Sequence, residues 1–122
     1  MERIAKFYHG TTVVRAQRIA AGAAFTAQKT FLALGESNRD LAEVFARRAA
    51  QRHPNEGGPA LVIVTMPEAA FEVLRKQQLI LLKPFDAEDR PELRMRSQWV
   101  LEMGGVPRFN QESEDWEWER LV

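Results

Sequence analysis

Ala60-Leu61-Val62-Ile63-Val64-Thr65-Met66 is the stretch of sequence that decides the fold. Successive side chains of an extended chain point to opposite faces, and here both faces are apolar. The pattern therefore predicts a central strand that is covered on both sides within a larger sheet. The run is far too short to cross a bilayer, which needs about 20 apolar residues.

Further short strands are predicted on either side of this run, at residues 5–8, 30–33, 79–82 and 98–103. The strand over 79–82 is again strongly apolar, so we expect it to be buried. The strand over 98–103 alternates between residue types, and it places Gln98, Val100 and Glu102 on one face.

Three helices are predicted among these strands, at residues 13–22, 38–53 and 68–74. Thr11 or Thr12 can cap the first helix, because a threonine hydroxyl accepts a hydrogen bond from a free amide of the first turn. Gly22 ends the first helix, and Pro54 ends the second, since the residue before a proline avoids helical geometry. Helices lie mostly in the first half and strands increasingly in the second. This order indicates an α+β fold rather than a doubly wound sheet.

The composition is that of one globular domain spanning residues 1–122. Hydrophobic residues make up 45% of the chain and charged residues 28%, so extensive disorder is not expected. The formal net charge is zero, and a general nucleic-acid binder would lack its usual long-range field. There is no cysteine, which excludes disulfides, thiolate zinc sites and a cysteine nucleophile. The charged first residues are unlike a signal peptide, so we expect a soluble cytoplasmic protein with no membrane segment.

Tyr8-His9-Gly10-Thr11 is the best candidate for a functional site. We expect His9 at the end of the first strand, before a glycine that lets a ligand approach the backbone. A histidine ring can hydrogen-bond a sugar hydroxyl through either nitrogen. His9 could equally cap a tight turn, and the local pattern leaves both interpretations open. The second histidine, His53, is expected at a helix carboxyl end, and no spacing of histidines and carboxylates predicts a metal site.

Three sequence blocks carry a wider resemblance. The first is Phe7 to Thr12 with the helix that ends at Gly22, and the second is Phe31-Leu32-Ala33 with the helix that carries Ala42 and Phe45. The third block is Ser97-Gln98-Trp99-Val100-Leu101. Over these blocks, from about Phe7 to about Leu101, the chain resembles the ADP-ribosyltransferase fold. The resemblance is to the histidine-first branch, that of diphtheria toxin and the poly(ADP-ribose) polymerase catalytic domains. It implies a small domain with a mixed or antiparallel split sheet, and NAD as the co-substrate.

The resemblance also implies roles for individual residues. His9 would hydrogen-bond the nicotinamide-side ribose of NAD, and the Gly10 backbone would hold the nicotinamide carboxamide, with Thr11 in the same binding motif. Phe31 stands where a stacking tyrosine is usual, and Phe45 matches the second aromatic residue of a sandwich around nicotinamide. Phenylalanine keeps the π face that grips a flat ring and loses only a hydroxyl. Without the resemblance, both phenylalanines would be interpreted as core residues.

Gln98 departs from the family pattern, in which a catalytic glutamate begins the third block. That glutamate orients the ribose and stabilises the oxocarbenium-like transition state by its charge, whereas glutamine keeps only the hydrogen bonds. Three outcomes follow: NAD binding without efficient transfer, slower chemistry aided by another group, or a carboxylate supplied by Glu102. About 13 Å of extended strand separates Glu102 from Gln98.

Related folds suggest one further enzyme class, the RNA 2′-phosphotransferases, which use NAD to remove a phosphate from RNA. Those sites grip the phosphate with arginines, and Arg90, Arg94 and Arg96 precede the third block. An arginine cluster is also typical of a solvated face. The zero net charge counts against RNA as the substrate.

The acidic tail over residues 110–122 carries Trp116 and Trp118, which point the same way from an extended segment. They either pack on the chain's own sheet or dock a protein partner. The leading expectation is an NAD-dependent ADP-ribosyltransferase with a protein or nucleic-acid acceptor, or an NAD glycohydrolase when water is the acceptor. The small size is typical of a bacterial toxin or regulatory effector. The alternative is a catalytically degenerate interaction module with the same fold.

Overall fold

The computed structural model describes residues 3–25, 27, 29–85, 90–93, 96–101 and 114–122. Its main elements in chain order are β1 (Ile4–Thr12), α1 (Val13–Gly22), β2 (Thr30–Leu34), α2 (Arg39–Arg52), β3 (Pro59–Pro67), α3 (Glu68–Lys76), β4 (Ile80–Pro84), β5 (Ser97–Leu101) and β6 (Asp115–Arg120). Short 3₁₀ turns over Glu36–Asn38 and Pro91–Leu93 precede α2 and β5.

The strands form one antiparallel six-stranded sheet in the order β4-β5-β2-β1-β3-β6. With three α-helices packed on this sheet within the described residues, the predicted α+β class is confirmed. β3 lies between β1 and β6, and its successive residues Val62 and Ile63 pack in the cores on the two opposite faces of the sheet. The apolar run that predicted a doubly covered strand therefore forms the interior of the sheet.

The two faces of the sheet are covered by different helices. α1 and α3 cover one face, where Phe7 packs among residues of both helices. α2 covers the other face, where Tyr8 and Leu61 pack against Leu41. Fully burying one large apolar side chain contributes about 1.5–3 kcal/mol, so each face has its own stabilising core.

β1 and β2 pair over only part of their length. The ladder between them holds the pairs Phe7–Leu34 and Tyr8–Ala33. Past Tyr8, β1 continues against β3 while β2 pairs with β5. The sheet is thus split into the halves β4-β5-β2 and β1-β3-β6. We refer to the unpaired end of β1 and β2, next to residues 9–12, as the inter-strand gap.

The first strand is longer than predicted. β1 runs to Thr12, because Thr11 and Thr12 pair with Ala60 and Pro59 of β3. His9 therefore lies within the strand rather than at its end. A glycine and two threonines are typical of a turn, and only the long-range partner on β3 keeps this segment extended.

One other prediction is corrected by the position of a strand in the sheet. β4, predicted over 79–82 as a buried strand, lies at the edge, and its Leu82 is 56% exposed. The extended segment that was expected in the acidic tail is the strand β6, which pairs with β3. An apolar run does not show whether a strand has one neighbouring strand in the sheet or two. An acidic segment can still form a strand and pair with a neighbour.

Helix α1 begins and ends close to the predicted residues. The Thr12 hydroxyl accepts a hydrogen bond from the Arg15 amide at 3.3 Å, which confirms Thr12 as the cap. The helix ends at Gly22, and the left-handed conformation falls one residue later on Ala23, with φ at 49°. Among the described residues, none of the helices combines the length and the apolar character that crossing a membrane would require.

Candidate functional site

His9 joins the two strands at the inter-strand gap. Its Nδ1 lies 3.0 Å from the carbonyl oxygen of Phe31. A carbonyl only accepts hydrogen bonds, so Nδ1 carries the proton and Nε2 of the neutral ring is an acceptor. Burial lowers the pKa of the His9 imidazole below its ordinary value, against an opposing effect of the Phe31 hydrogen bond. The neutral ring is therefore the favoured form at pH 7.

The backbone of Gly10 is directed at the inter-strand gap. Nearer the start of β1, the Lys6 carbonyl accepts a hydrogen bond from the Gly35 amide at 2.8 Å, on the β2 side. Backbone groups along a strand alternate in direction with a period of two, so those of Gly10 point to the same side. If the pairing of β1 with β2 continued beyond Tyr8, Gly10 would stand opposite Phe31. The Phe31 carbonyl instead accepts a hydrogen bond from the His9 imidazole. The amide and the carbonyl of Gly10 thus face the gap.

Phe31 and Phe45 form a stacked ring pair. Their ring centroids are 5.4 Å apart and the ring planes differ by 4°. Phe45 also meets Phe85 edge-on at 5.3 Å. Phe31 is 37% exposed, so one member of the pair borders solvent. The two aromatic positions that the sequence predicted are in direct contact.

The imidazole and the ring pair approach the gap from opposite faces of the sheet. His9 meets Phe25 edge-on at 5.2 Å, on the face covered by α1. Phe45 belongs to α2 and packs on the core of the other face. The point of contact is the backbone of Phe31, whose carbonyl binds His9 and whose ring stacks on Phe45.

Gln98 of β5 lies beside the ring pair. Its side chain is 6% exposed and borders the same small space as Phe31 and Phe45. Its Oε1 atom is buried and has no hydrogen-bond partner within the part of the chain that the structure describes. An unsatisfied buried polar group costs about 1–3 kcal/mol. The sequence analysis named Gln98 as the residue at the position of the family's catalytic glutamate, and the structure places it beside Phe31 and Phe45.

A cavity of about 140 Å³ adjoins His9 on the α1 face. We refer to it as the His9 cavity, and it is lined by His9, Thr11, Arg15, Arg18, Ile19, Phe25, Ala27 and Thr30. Thr11, which the resemblance assigned to the binding motif, contributes to this wall. The hydroxyl of Thr30 is buried without a hydrogen-bond partner among the described residues.

Arg15 is held at the rim of this cavity by a network that the sequence did not reveal. Its Nε lies 2.8 Å from Glu56 Oε1, and the Thr12 hydroxyl donates to the same oxygen at 2.7 Å. Its Nη2 donates to His53 Nε2 at 3.2 Å. The Arg15 guanidinium, and then the Thr12 hydroxyl, lower the pKa of the Glu56 carboxyl. Arg15 and Glu56 are separated by 41 positions in the sequence, which leaves no local sequence signal for this pair.

Tyr8 is a second residue whose chemistry was not predicted. Its fully buried hydroxyl donates to Glu36. Burial, followed by this hydrogen bond, raises the pKa of Tyr8 to about 12. The guanidinium carbon of Arg39 and the ammonium nitrogen of Lys6 each lie 5.6 Å from the ring centroid, within cation–π range.

Arg96 is bound to the start of α2. Its guanidinium donates to the Ser37 carbonyl at 2.9 Å and to the side chains of Asn38 and Asp40. Arg90 pairs with Glu92 at 3.8 Å. These arginines, predicted as candidates to grip an RNA phosphate, have protein partners.

Two predicted residues lie outside the described residues. They are Arg94 and the candidate carboxylate Glu102.

The two tail tryptophans lie on the α1 face of β6 but differ in environment. Trp116 stands opposite Val64, and its ring lies 5.0 Å from that of Phe25. Trp118 stands opposite Val62 and is 36% exposed. Packing on the chain's own sheet is therefore confirmed for Trp116, while Trp118 presents its ring to solvent.

Five predicted positions lie around the backbone of Phe31: the side chains of Phe31, Phe45 and Gln98 on the α2 face, His9 on the α1 face, and Gly10 on β1. They come from β1, β2, α2 and β5. The protein is thus an α+β domain with a split sheet, and a histidine, a stacked aromatic pair and a buried amide lie beside the split. Within the described ranges, no group of histidines and carboxylates could hold a metal ion. Compared with known proteins, the chain matches no protein-family model, no curated protein and no solved structure.

Proposed function

We propose that this protein binds NAD at the inter-strand gap and transfers ADP-ribose to a macromolecular acceptor, or to water when no acceptor is bound. The observation that carries the proposal is the hydrogen bond between His9 and Phe31, because it joins the imidazole to β2, the strand that bears the Phe31 ring of the aromatic pair. Gln98 borders the same pair from a third strand. These are the positions that the ADP-ribosyltransferase resemblance assigns to NAD.

His9 and Gly10 supply the polar contacts in this proposal. With Nδ1–H bound to the Phe31 carbonyl, Nε2 accepts a hydrogen bond from a ribose hydroxyl. The Gly10 amide donates to the carboxamide oxygen of nicotinamide, and the Gly10 carbonyl accepts from its N–H. A primary carboxamide offers one acceptor and two donors, so one peptide residue can satisfy it in this way.

Phe31 and Phe45 hold the nicotinamide ring. A flat ring between them needs centroids about 7 Å apart, two contacts of about 3.5 Å. The present separation is 5.4 Å, so the pair opens by about 1.6 Å on binding. Phe31 is the ring that moves, because it is 37% exposed while Phe45 is held by Phe85.

The reaction breaks the bond between ribose C1′ and the nicotinamide nitrogen. Both electrons leave with nicotinamide, and an acceptor oxygen then attacks C1′ and loses its proton to solvent. Gln98 Oε1 accepts a hydrogen bond from the ribose but adds no charge. Removing one preorganised electrostatic contact typically costs about 10²–10³ in rate, so we expect slow turnover.

Nicotinamide release from NAD by the purified chain tests this function. We expect slow release that His9→Ala lowers at least about 100-fold, since it removes a positioned polar group from the transition state. His53→Ala is the matched control, as His53 is the other histidine and lies outside the gap. Circular dichroism checks that both variants fold. Absence of nicotinamide release together with absence of an NAD-induced thermal shift overturns the proposal.

Gln98→Glu tests where the third block lies. A carboxylate beside the ring pair restores the missing charge, and we expect faster nicotinamide release than in the original chain. Gln98→Leu is the control of similar size without polar atoms. A Gln98→Glu variant that folds and binds NAD but gains no activity contradicts the role given to this position.

An interaction module is the second candidate, favoured by the exposed ring of Trp118 on the edge strand β6. In that case the fold persists without turnover, and Gln98 marks lost chemistry. An RNA 2′-phosphotransferase is weaker, because Arg96 is already bound to Ser37, Asn38 and Asp40. We place the protein in the cytoplasm, as a toxin or regulatory effector, since a chain without cysteine needs no oxidising compartment.

A further inference from the structure

We infer that the His9 cavity is a binding site for a phosphate group. Three groups that line the cavity form this site: the guanidinium groups of Arg15 and Arg18, and the buried hydroxyl of Thr30. The inference needs no NAD, so it stands or falls separately from the proposed function.

The buried hydroxyl of Thr30 is the polar group that indicates a ligand in the cavity. Thr30 is 2% exposed, and its Oγ1 has no hydrogen-bond partner among the described residues although it borders a cavity. A buried hydroxyl without a partner costs about 1–3 kcal/mol. A ligand oxygen in the cavity would accept its proton and remove that cost.

The positive charges of Arg15 and Arg18 at the rim of the His9 cavity favour an anionic ligand. Glu56 binds Nε of Arg15 and His53 binds its Nη2, so within the described part of the chain Nη1 is left to bind a ligand. Arg18 follows Arg15 by three positions on α1, so both side chains leave the helix on the same side. Glu56 offsets one positive charge, and the second remains. Arginine matches the geometry of phosphate oxygens through its planar set of donors.

The size of the cavity is sufficient for one phosphate group. Its volume is about 140 Å³. A water molecule occupies about 30 Å³ of liquid, so the cavity holds the equivalent of roughly four or five waters. One phosphorus atom with four oxygens fills a space of that order.

Inorganic phosphate is the probe, and thermal unfolding at constant ionic strength is the measurement. A ligand that binds only the folded state raises the melting temperature with its concentration. We expect phosphate to raise it and sodium chloride at the same ionic strength not to. An equal effect of chloride overturns the inference.

Two variants and one control locate the site. Arg18→Gln and Thr30→Val should each weaken phosphate binding about 10-fold or more, since a charge-assisted contact is lost. Arg47→Gln removes an exposed arginine from α2, on the opposite face of the sheet, and should leave binding unchanged. Equal weakening by Arg18→Gln and Arg47→Gln would mean a general charge effect and would contradict the site.

Thr30→Val carries a second readout that a structural role would not reproduce. Valine has nearly the same shape as threonine and no hydroxyl, so it removes an unsatisfied buried group. The free protein should therefore unfold at the same or a higher denaturant concentration, while phosphate binds more weakly. A marked loss of stability in the free protein would mean that the hydroxyl serves the fold, which overturns the inference.

Two ligands distinguish the sources of the phosphate. Ribose 5-phosphate carries a terminal phosphate, whereas ADP-ribose carries internal ones. Whichever ligand loses about 10-fold in affinity on Arg18→Gln identifies the kind of phosphate that the cavity takes. If neither ligand nor phosphate depends on Arg18, the site does not exist.

Discussion

A β-carbon on Gly10 would stand 1.9 Å from the carbonyl oxygen of Ala42 and 2.5 Å from the amide nitrogen of Ala46. Both atoms belong to the backbone of α2, so neither can turn aside. We expect Gly10→Ala to lower the free energy of unfolding by about 3 kcal/mol or more, because α2 must move off β1. Urea unfolding measures the change.

Gly22→Ala is the matched control for that substitution. Gly22 is the last residue of α1, and a β-carbon there meets nothing within 4 Å. Alanine in a helix is favoured over glycine by up to about 1 kcal/mol, so the control should be neutral or stabilised. Equal losses in both variants would show that the close approach of α2 is not the cause.

Tyr8 should ionise about two pH units above a free tyrosine. Burial and the hydrogen bond to Glu36 raise its pKa to about 12 from 10.0. Because Tyr8 is the only tyrosine, absorbance at 295 nm follows this one group. The unfolded chain loses its proton first, so stability falls as pH rises from 10 to about 12. Glu36→Gln should lower the midpoint, and a midpoint near 10 in the intact protein would contradict the buried pair.

His9 should make the fold less stable in mild acid. Burial lowers its pKa, so below about pH 6.5, the ordinary value, the unfolded chain binds more protons than the folded one. The stability that depends on the neutral ring is present above that pH and is lost as pH falls. We expect His9→Asn to unfold with a weaker pH dependence between pH 7.5 and 5.5, by urea titration. His53→Asn serves for comparison, and the prediction fails if the two variants show the same dependence.

The two tryptophans of β6 should differ in their contributions to stability. Trp116 packs on Phe25 at 5.0 Å and on the core under α1, so Trp116→Ala should cost about 2–3 kcal/mol. Trp118 is 36% exposed, and Trp118→Ala should cost about 1 kcal/mol or less. Urea unfolding compares them, and the reverse order would contradict the packing of this edge.

The strands and helices were predictable where the pattern is local. The apolar run around Val62 and the threonine cap at Thr12 depend on neighbours in sequence, and both predictions are confirmed. The extension of β1 to Thr12 and the edge position of β4 depend on which strands pair. Such pairing is set by contacts between distant residues, which one sequence does not encode locally.

The site was predictable in its aromatic and amide positions but not in its ion pairs. Phe31 and Phe45 could be named because the resemblance supplied the positions, and the rings do stack. The Arg15–Glu56 and Tyr8–Glu36 pairs arise where loops return to the sheet. Charged residues are frequent on every surface, so composition alone could not select these pairs.

The ladder between β1 and β3 also has a kinetic consequence. Its pairs run from Ile4–Pro67 to Thr12–Pro59, so most of the chain's first half lies between the two strands. Closing such long loops costs entropy before the contacts form, and proteins with many non-local pairings fold in roughly milliseconds to seconds. During that time β3 exposes an apolar strand edge, and newly made molecules are then most prone to aggregate.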